Sequence, residues 1–329
     1  MATMTEAQEI ILALTSDFST PVPVPCLRGI PGVGKTDLCK RIAGLRRTDT
    51  DQNYQMVHRF MGSETVEDLV GMPIVDGKTK RTTWCMPDWW PDAQKFPNGL
   101  MVLDEADRAP KEVMDSFLLQ VLRNRAWRGN RLPNGTKGRP GTGWAILLAM
   151  NGDAEGCETN MIDLALEGRI QLIDLQPTAD EFCEWGESNG VRDDVREFLR
   201  KHPELLARYE QGLAKANPRA WEYASALMDR LDGHASLPEL LSNQIGSLVA
   251  TQFLAFLEER KIPNIKRIAS GSAKKAADLN AAQKSRFVEL VREWAMDNPT
   301  DAQARQNVIV YAAQYETEFA AAVHAALTR

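Results

Sequence analysis

The chain has 329 residues, of which 43% are hydrophobic and 26% charged, and it carries a formal net charge of −6. This composition is typical of a globular protein with one large and one smaller domain, and its acidic balance gives no overall attraction to nucleic acid or anionic membranes, although a local basic patch stays open. The five cysteines form no C-x-x-C pair and, with only four histidines, show no metal-ligand spacing, which argues against a zinc site and favours a reducing compartment.

Residues 29–36 read Gly-Ile-Pro-Gly-Val-Gly-Lys-Thr and fit the pattern G-x-x-x-x-G-K-[ST]. In this pattern backbone N–H groups surround phosphates, the lysine reaches the β- and γ-oxygens, and the hydroxyl coordinates Mg²⁺. A strand-like run at 22–28 and a helix-like run at 37–43 favour a nucleoside triphosphate site over an ordinary glycine turn before a helix. The candidate phosphate-binding residues are Gly29, Pro31, Gly32, Val33, Gly34, Lys35, Thr36 and Asp37.

A second strand is predicted at 54–60 and a short helix at 64–70, followed by an insertion at about 72–98. Within the insertion, the Asp76-Gly77 pair favours a tight turn between the two arms of a hairpin. The tip is basic and the segment behind it is aromatic. The insertion is therefore either a solvated loop or a surface that contacts another molecule.

An apolar run at 99–103 ends in the carboxylates of Asp104 and Glu105. This is the form of a buried central strand that delivers acidic groups at its C-terminal end. Asp104 is expected to hold Mg²⁺, and Glu105 to polarise the attacking water, because phosphoryl transfer needs positioned charge and an oriented nucleophile. In isolation the same pattern would also suit an exposed acidic strand end.

A helix is predicted at 110–124, a polar glycine-rich insertion at about 126–143, and a buried strand at 144–150 that ends before Asn151. A short helix from about Met161 leads to Arg169, and a last strand covers 170–175. Strands and helices alternate up to residue 176, which predicts a parallel α/β sheet, whereas the pattern from Pro177 onward is helical. Two amphipathic helices are expected at 276–296 and 301–328.

The ordered motifs resemble the AAA+ ATPases, and within them the MoxR-like branch that is grouped with the dynein-related ATPases. The resemblance spans about residues 8–230 and includes the loop at 29–36, Val-Glu-Asp-Leu-Val-Gly at 66–71, and Leu-Asp-Glu-Ala-Asp at 103–107. Asn151, the Ala-Leu-Glu-Gly-Arg phrase at 165–169 and Asn-Pro-Arg-Ala at 217–220 follow in the family's order. It implies a P-loop parallel sheet with helices on both faces at 1–176, an all-α lid at 177–260 and a helical extension at 261–329.

The resemblance also assigns roles to three later residues. Asn151 would be the first sensor and would orient the attacking water; a surface asparagine is the alternative. Arg169 would be an arginine finger that acts on the neighbouring subunit's nucleotide, rather than a simple helix C-cap. Arg219 would be the second sensor, reaching the γ-phosphate from the lid, rather than an ordinary exposed helix arginine.

By this resemblance the protein is an ATP- and Mg²⁺-dependent, hexameric ring motor that remodels or assembles a protein client with a von Willebrand factor A domain partner. Two alternatives stay open, a nucleic-acid motor related to the GTP-using restriction ATPases and a nucleotide-gated scaffold with little turnover. The Asn-Thr-Ala-Asp phrase of the restriction group is absent after the strand at 144–150. No run of the sequence approaches ~20 apolar residues, so we expect a cytoplasmic protein without membrane insertion.

Overall fold

The computed structural model describes residues 1–329 except 17, 19–21, 50–52, 93, 137–138, 140, 152–163, 211–212, 274–278 and 329. The chain forms two compact units. The first comprises Met1–Leu237 with Gln244–Gly246, and the second comprises Pro238–Asn243 with Ser247–Arg329. The division at residues 176 and 260 that the sequence suggests stays a prediction.

A parallel five-stranded sheet forms the centre of the first unit, and its strands lie side by side in the order 55–60, 99–104, 144–150, 24–28 and 170–174. Every strand of this sheet was expected from the sequence, with ends that differ by no more than two residues. Together with the flanking helices and the helical C-terminal region, it confirms the predicted fold class. The strands are β1 Val24–Arg28, β2 Gln55–Phe60, β3 Gly99–Asp104, β4 Trp144–Met150 and β5 Ile170–Asp174.

Alternate residues of the central strands face two different hydrophobic cores. On β3, Leu100 and Val102 pack in the core that contains Ile11 and Leu38, whereas Met101 and Leu103 pack in the core that contains Phe117. Burial on both faces explains why these strands are continuous apolar runs rather than alternating ones. The helices of this unit are α1 Met4–Leu14, α2 Lys35–Asp49, α3 Val66–Val70, α4 Lys111–Val113, α5 Leu119–Asn124, α6 Leu164–Glu167, α7 Ala179–Ser188, α8 Asp193–Lys201 and α9 Pro218–Arg230.

Several elements refine the expectations from sequence. The helix expected at 110–124 contains a π-helical segment, Met114–Leu118, between α4 and α5. The region after residue 177, expected to be all helical, also contains a short antiparallel pair, Arg208–Glu210 with Leu213–Ala216. The predicted start of the short helix at Met161 lies outside the described residues, which include its last turn, α6.

Both expected insertions contain a two-stranded antiparallel hairpin. In the first, Met72–Val75 pairs with Thr82–Cys85, and we call residues 72–85 the insertion hairpin. In the second, Ala126–Trp127 pairs with Asn130–Arg131. The insertions therefore add small separate sheets and leave the order of the central sheet unchanged.

The second unit is helical, with α11 Ser247–Arg260, α12 Ile265–Ala269, α13 Ala281–Asp297, α14 Ala302–Ala312 and α15 Thr317–Thr328, and α10 Leu237–Ile245 lies at the boundary. The single helix expected at 301–328 is thus two helices. Arg305 donates hydrogen bonds to the carbonyls of Ala295, Asn298 and Leu327, which satisfies carbonyl groups near the C-terminal ends of α13 and α15. Within the described ranges, no helix has the length and apolar character needed to cross a membrane.

Candidate functional site

A cavity of about 520 Å³ lies where β1, β3 and β4 end. Because the carboxyl ends of parallel strands meet at one edge of a sheet, residues distant in sequence are brought together there. The phosphate loop (residues 29–36) follows β1, the acidic pair ends β3, and Asn151 follows β4. The lining residues are Pro31, Gly32, Gly34, Lys35, Thr36, Phe60, Asp104, Glu105, Arg108, Asn151 and Arg219.

The phosphate loop is held in a conformation that requires glycine. Gly32 has φ 79° and Gly34 has φ 105°, a region that side-chain-bearing residues rarely adopt. A Cβ on Gly32 would lie 2.5 Å from Oδ1 of Asn217. Lys35 is buried, and its Nζ donates to the carbonyls of Gly29 at 2.7 Å and Ile30 at 3.2 Å. The ammonium group is thereby fixed across the loop.

Asp104 accepts three hydrogen bonds at the end of β3. Its Oδ2 lies 3.1 Å from Oγ1 of Thr36 and 3.1 Å from Nε2 of His58, and its Oδ1 accepts the N–H of Glu105 at 2.9 Å. Burial opposes ionisation, but the hydrogen bonds from His58, Glu105 and Thr36 outweigh it and lower the pKa of Asp104. An ionised carboxylate beside a hydroxyl is an oxygen donor pair of the kind that Mg²⁺ prefers, so these residues fit the expected magnesium ion.

Glu105 has left-handed backbone, with φ 52° and ψ 39°, directly after β3. This conformation is uncommon for a residue with a side chain and concentrates at functional positions. The Glu105 carboxylate lines the cavity, and its Oε2 lies 3.4 Å from Nη1 of Arg108. The acidic group expected to polarise water therefore faces the same space as Lys35.

Asn151 connects the phosphate loop to a buried acid. Its side-chain Oδ1 accepts a hydrogen bond from Lys35 Nζ at 2.9 Å, and its backbone N–H donates to Asp107 Oδ2 at 3.0 Å. Asp107 is only 3% exposed, and burial raises the pKa of its carboxyl. Within the part of the chain that the structure describes, Asp107 Oδ1 has no hydrogen-bond partner. The hydrogen bond to Asp107 thus fixes the position of the Asn151 backbone.

Arg219 and Arg169 occupy different places. The α9 helix is capped by Asn217, whose Oδ1 accepts the N–H of Ala220 at 2.9 Å, and the Arg219 N–H donates to the Gly32 carbonyl at 3.1 Å. Arg219 therefore lies at the mouth of the cavity. Arg169 is not among the lining residues and instead donates to the carbonyl of Ala165 just before β5.

A second cavity, of about 530 Å³, borders the first and shares Gly32, Gly34, Thr36 and Arg219 with it. Its walls come from the start of α1, the start of α2, and α7 with the aromatic side chains Phe182 and Trp185. Val33 and Asp37, two of the predicted phosphate-binding residues, line this cavity and not the first. A cavity with aromatic walls beside a phosphate site suits the base and sugar of a nucleotide.

Glu181 fixes two walls of the second cavity at once. Its Oε1 accepts the N–H of Thr5 at 3.0 Å and the Thr5 hydroxyl at 3.0 Å, and its Oε2 accepts the N–H of Met4 at 3.2 Å. Oε2 also accepts the N–H of Thr178 at 3.1 Å and its hydroxyl at 3.4 Å, within the capping box of α7. Burial opposes ionisation, yet these hydrogen bonds lower the pKa of Glu181. One carboxylate thus caps the N-terminal ends of α1 and α7.

The sequence alone did not identify His58, Arg108, Asp107 or Glu181 as parts of this site. Glu181 could have been found, because Thr-x-x-Glu before an apolar run is a capping-box signal. His58 and Asp104 are 46 residues apart in sequence, and only the pairing of β2 with β3 brings them together.

Residues 25–169 match the sequence model for the AAA domain of the dynein-related subfamily. Over that range the chain is therefore similar to dynein-related AAA domains. Nucleotide binding and hydrolysis are the general properties of such a domain, and the matched range contains the residues of the site except for Arg219, Glu181 and the residues around them.

Among solved structures, the RuvB Holliday junction branch migration motor of Thermotoga maritima is similar at 13% identity and TM-score 0.42, over 81% of this chain and 74% of that chain. Hsp104 in complex with ATPγS and casein is similar at 17% identity and TM-score 0.34, over 72% of this chain and 42% of that chain. No protein of curated function matches the chain. Identities and TM-scores this low do not transfer function.

Proposed function

We propose that the protein is a Mg²⁺-dependent ATPase that acts as a ring-forming motor of MoxR type and remodels or assembles a protein partner. The observation that carries the proposal is the convergence of Lys35, Asp104 with Thr36, and Glu105 on one cavity. These groups supply the fixed cation, the metal-binding oxygens and the water-activating carboxylate that phosphoryl transfer requires. The acidic pair lies about 70 residues after Lys35 in the sequence, and the fold brings the two together.

Each residue then has a defined task. Lys35 holds charge on the β- and γ-phosphates, and the loop N–H groups hold the remaining phosphate oxygens. Thr36 and Asp104 would hold a magnesium ion, which would supply positive charge against the phosphate oxygens. Glu105 orients the attacking water and accepts its proton. Asn151, positioned by Lys35 and Asp107, orients the same water from the adjacent strand end.

Arg169 acts in trans in this proposal. Its place outside the cavity formed by its own subunit supports a role at the neighbouring subunit's nucleotide. There a guanidinium would stabilise the charge that develops on the transferred phosphoryl group. A ring, which the resemblance suggests is hexameric, would let each Arg169 complete the next site.

The MoxR-type resemblance further suggests a partner with a von Willebrand factor A domain and a location in the cytoplasm. Arg219, tied to Gly32 through its backbone, would report the nucleotide state from α9 to the phosphate loop. Movement of that helix during turnover would then be passed on to the client.

A nucleic-acid motor is the second candidate, and the exposed cations of the insertion hairpin, Lys78, Lys80 and Arg81, are the observation that favours it. The test is turnover of ATP and of GTP by the purified protein, each with and without single-stranded and double-stranded DNA, with the Glu105→Gln variant as the control. Under the proposal the protein hydrolyses ATP, and DNA changes the rate by less than about twofold. Glu105→Gln reduces the rate by at least ~10²-fold. Strong stimulation by DNA, or preference for GTP, would favour the second candidate. Nucleotide binding without turnover in the unmodified protein would favour a scaffold.

A further inference from the structure

The insertion hairpin has one face attached to the body of the first unit and one face turned away from it. Its strands pair in the register Met72 with Cys85 and Ile74 with Thr83. Because side chains alternate along a strand, Met72 and Ile74 share a face with Thr83 and Cys85, and Trp84 lies on the opposite face. The two faces therefore have different tasks.

The attached face is held by aromatic contacts. Trp84 packs against the core that contains Phe117, and the Arg128 guanidinium lies 4.4 Å from the Trp84 ring and 5.0 Å from the Trp127 ring. Trp127 is buried and donates from Nε1 to the Leu69 carbonyl at 2.8 Å. These contacts fix the base of the hairpin, so its outer face is presented by a supported strand pair rather than by a loose loop.

The outer face is apolar and exposed. Met72 is 70% exposed and Ile74 is 47% exposed. Large apolar side chains grouped on one short sheet are unusual on a protein surface and mark contact sites.

The tip of the hairpin is cationic. Lys78, Lys80 and Arg81 are all exposed, and among the ion pairs of the described residues none involves these three. The one acid of the turn, Asp76, already accepts the N–H groups of Lys78 at 2.8 Å and Thr79 at 3.3 Å. On a chain with a net charge of −6, this tip is complementary to an acidic ligand.

We propose that the insertion hairpin binds an extended segment of a partner protein, whose alternate apolar side chains pack on the face that contains Met72 and Ile74 and whose acidic side chains lie beside the cationic tip. Burial of apolar side chains on this face would supply affinity, and the cationic tip would select acidic sequences. The inference rests on the proposed function in one respect, that a remodelling motor must hold a partner. The peptide-binding assay contains no nucleotide, so failure of peptide binding and failure of ATP hydrolysis are separate results.

The probe is a fluorescein-labelled synthetic peptide, Val-Thr-Val-Thr-Val-Glu-Asp-Glu, with a charge-reversed peptide ending in three lysines as its control. Fluorescence anisotropy with the full-length protein measures binding at low and high salt. Lys78→Ser with Lys80→Ser should weaken binding about tenfold at low salt and less at high salt, because exposed charges are screened. The matched control, Lys111→Ser with Lys201→Ser, removes the same charge elsewhere and should leave binding within twofold.

Two further variants and one label test the position of the peptide. Met72→Ser with Ile74→Ser should also weaken binding about tenfold, whereas basal ATP hydrolysis of every hairpin variant should stay within about twofold. Of the described cysteines only Cys85 is exposed, so in a Cys157→Ser background a maleimide reports on this face. Bound peptide should slow the maleimide reaction of Cys85 severalfold.

Several outcomes would overturn the proposal. Equal binding of the acidic and charge-reversed peptides would exclude charge selection, and equal weakening by the control pair would indicate a general charge effect. Unchanged reactivity of Cys85 under saturating peptide would place binding elsewhere. Tighter hairpin-dependent binding of a 20-nucleotide oligo-dT, or of vesicles with 30% phosphatidylserine, would assign the hairpin to nucleic acid or to a membrane surface instead.

Discussion

Replacing Glu181 by glutamine tests whether one carboxylate joins α1 to α7. Glu181→Gln keeps the size of the side chain and one acceptor oxygen, but it puts an NH₂ group where the second oxygen was. In the Oε2 position that group would face the N–H of Met4 and the N–H and hydroxyl of Thr178. In the Oε1 position it would face the N–H and hydroxyl of Thr5. At least two of the five hydrogen bonds that the carboxylate accepts should be lost.

The size of the effect follows from those contacts. A hydrogen bond to a charged group contributes about 1.5–3 kcal/mol when shielded, but water can replace part of these bonds because the site is partly exposed, so we expect a loss of about 1–2 kcal/mol. For a unit of this size that corresponds to a fall in Tm of roughly 2–8 °C. Since α1 and α7 wall the second cavity, the KM for ATP should rise while kcat changes little.

The pH dependence has a definite sign. The pKa of Glu181 is lowered in the folded state by the hydrogen bonds it accepts against the cost of burial, so the unfolded chain binds its proton more readily. The stabilisation is therefore fully present above the unfolded pKa, about 4.3, and is lost as pH falls through the lower folded value. The difference in Tm between the two proteins should shrink as pH falls below about 5.

Thermal unfolding followed by circular dichroism, with steady-state ATP hydrolysis, measures both effects. Glu184→Gln is the matched control for stability, because Glu184 is an exposed acid on the same helix and should change Tm by less than about 1–2 °C. If Glu181→Gln has the same Tm and the same KM for ATP as the unmodified protein, the carboxylate does not join the two helices. A fall in kcat at constant KM would instead place Glu181 in the chemical step.

The remaining predictions concern the first cavity. Lys35→Ala should abolish binding of a fluorescent ATP analogue, whereas Glu105→Gln should bind it and hydrolyse ATP at least ~10²-fold more slowly; equal loss of affinity in both variants would contradict the separation of phosphate binding from water activation. Arg169→Ala should retain binding and lose roughly 10³-fold in turnover, and mixing its subunits with Glu105→Gln subunits should restore some activity, which a role within one subunit would not allow. His58→Ala should raise the Mg²⁺ concentration for half-maximal turnover, because Asp104 loses a hydrogen bond that orients it; an unchanged magnesium dependence would remove His58 from the site.

The sequence predicted the parallel sheet, and it named most of the residues that line the first cavity, because these predictions rest on local patterns. The loop at 29–36 and the run that ends in Asp104 carry their chemistry in consecutive residues. The parts it did not predict depend on pairing between distant segments. His58 contacts Asp104 from the neighbouring strand, and Glu181 contacts Thr5, which lies 176 residues away in the sequence. Neither contact can be predicted from the sequence pattern around one of its two residues.

The helical region was predicted less well for a related reason. Helical periodicity continues from 301 to 328 although the structure ends one helix at Ala312 and begins another at Thr317. The intervening residues include neither proline nor glycine, so the usual breaking signals are missing. Packing of α15 against α13, through a core that contains Phe287, Phe319 and Val323, decides the break instead.

Because the backbone of Glu105 is left-handed, stability and activity favour different residues at this position. A side chain in that conformation costs about 1 kcal/mol relative to glycine, and within the described residues the ion pair of the carboxylate, with Arg108, is exposed. Glu105→Gly should therefore yield a protein that survives heating better and has lost its water-activating group. Laboratory selection for heat resistance alone would favour such variants, so any thermostability screen on this chain needs a turnover assay in the same round.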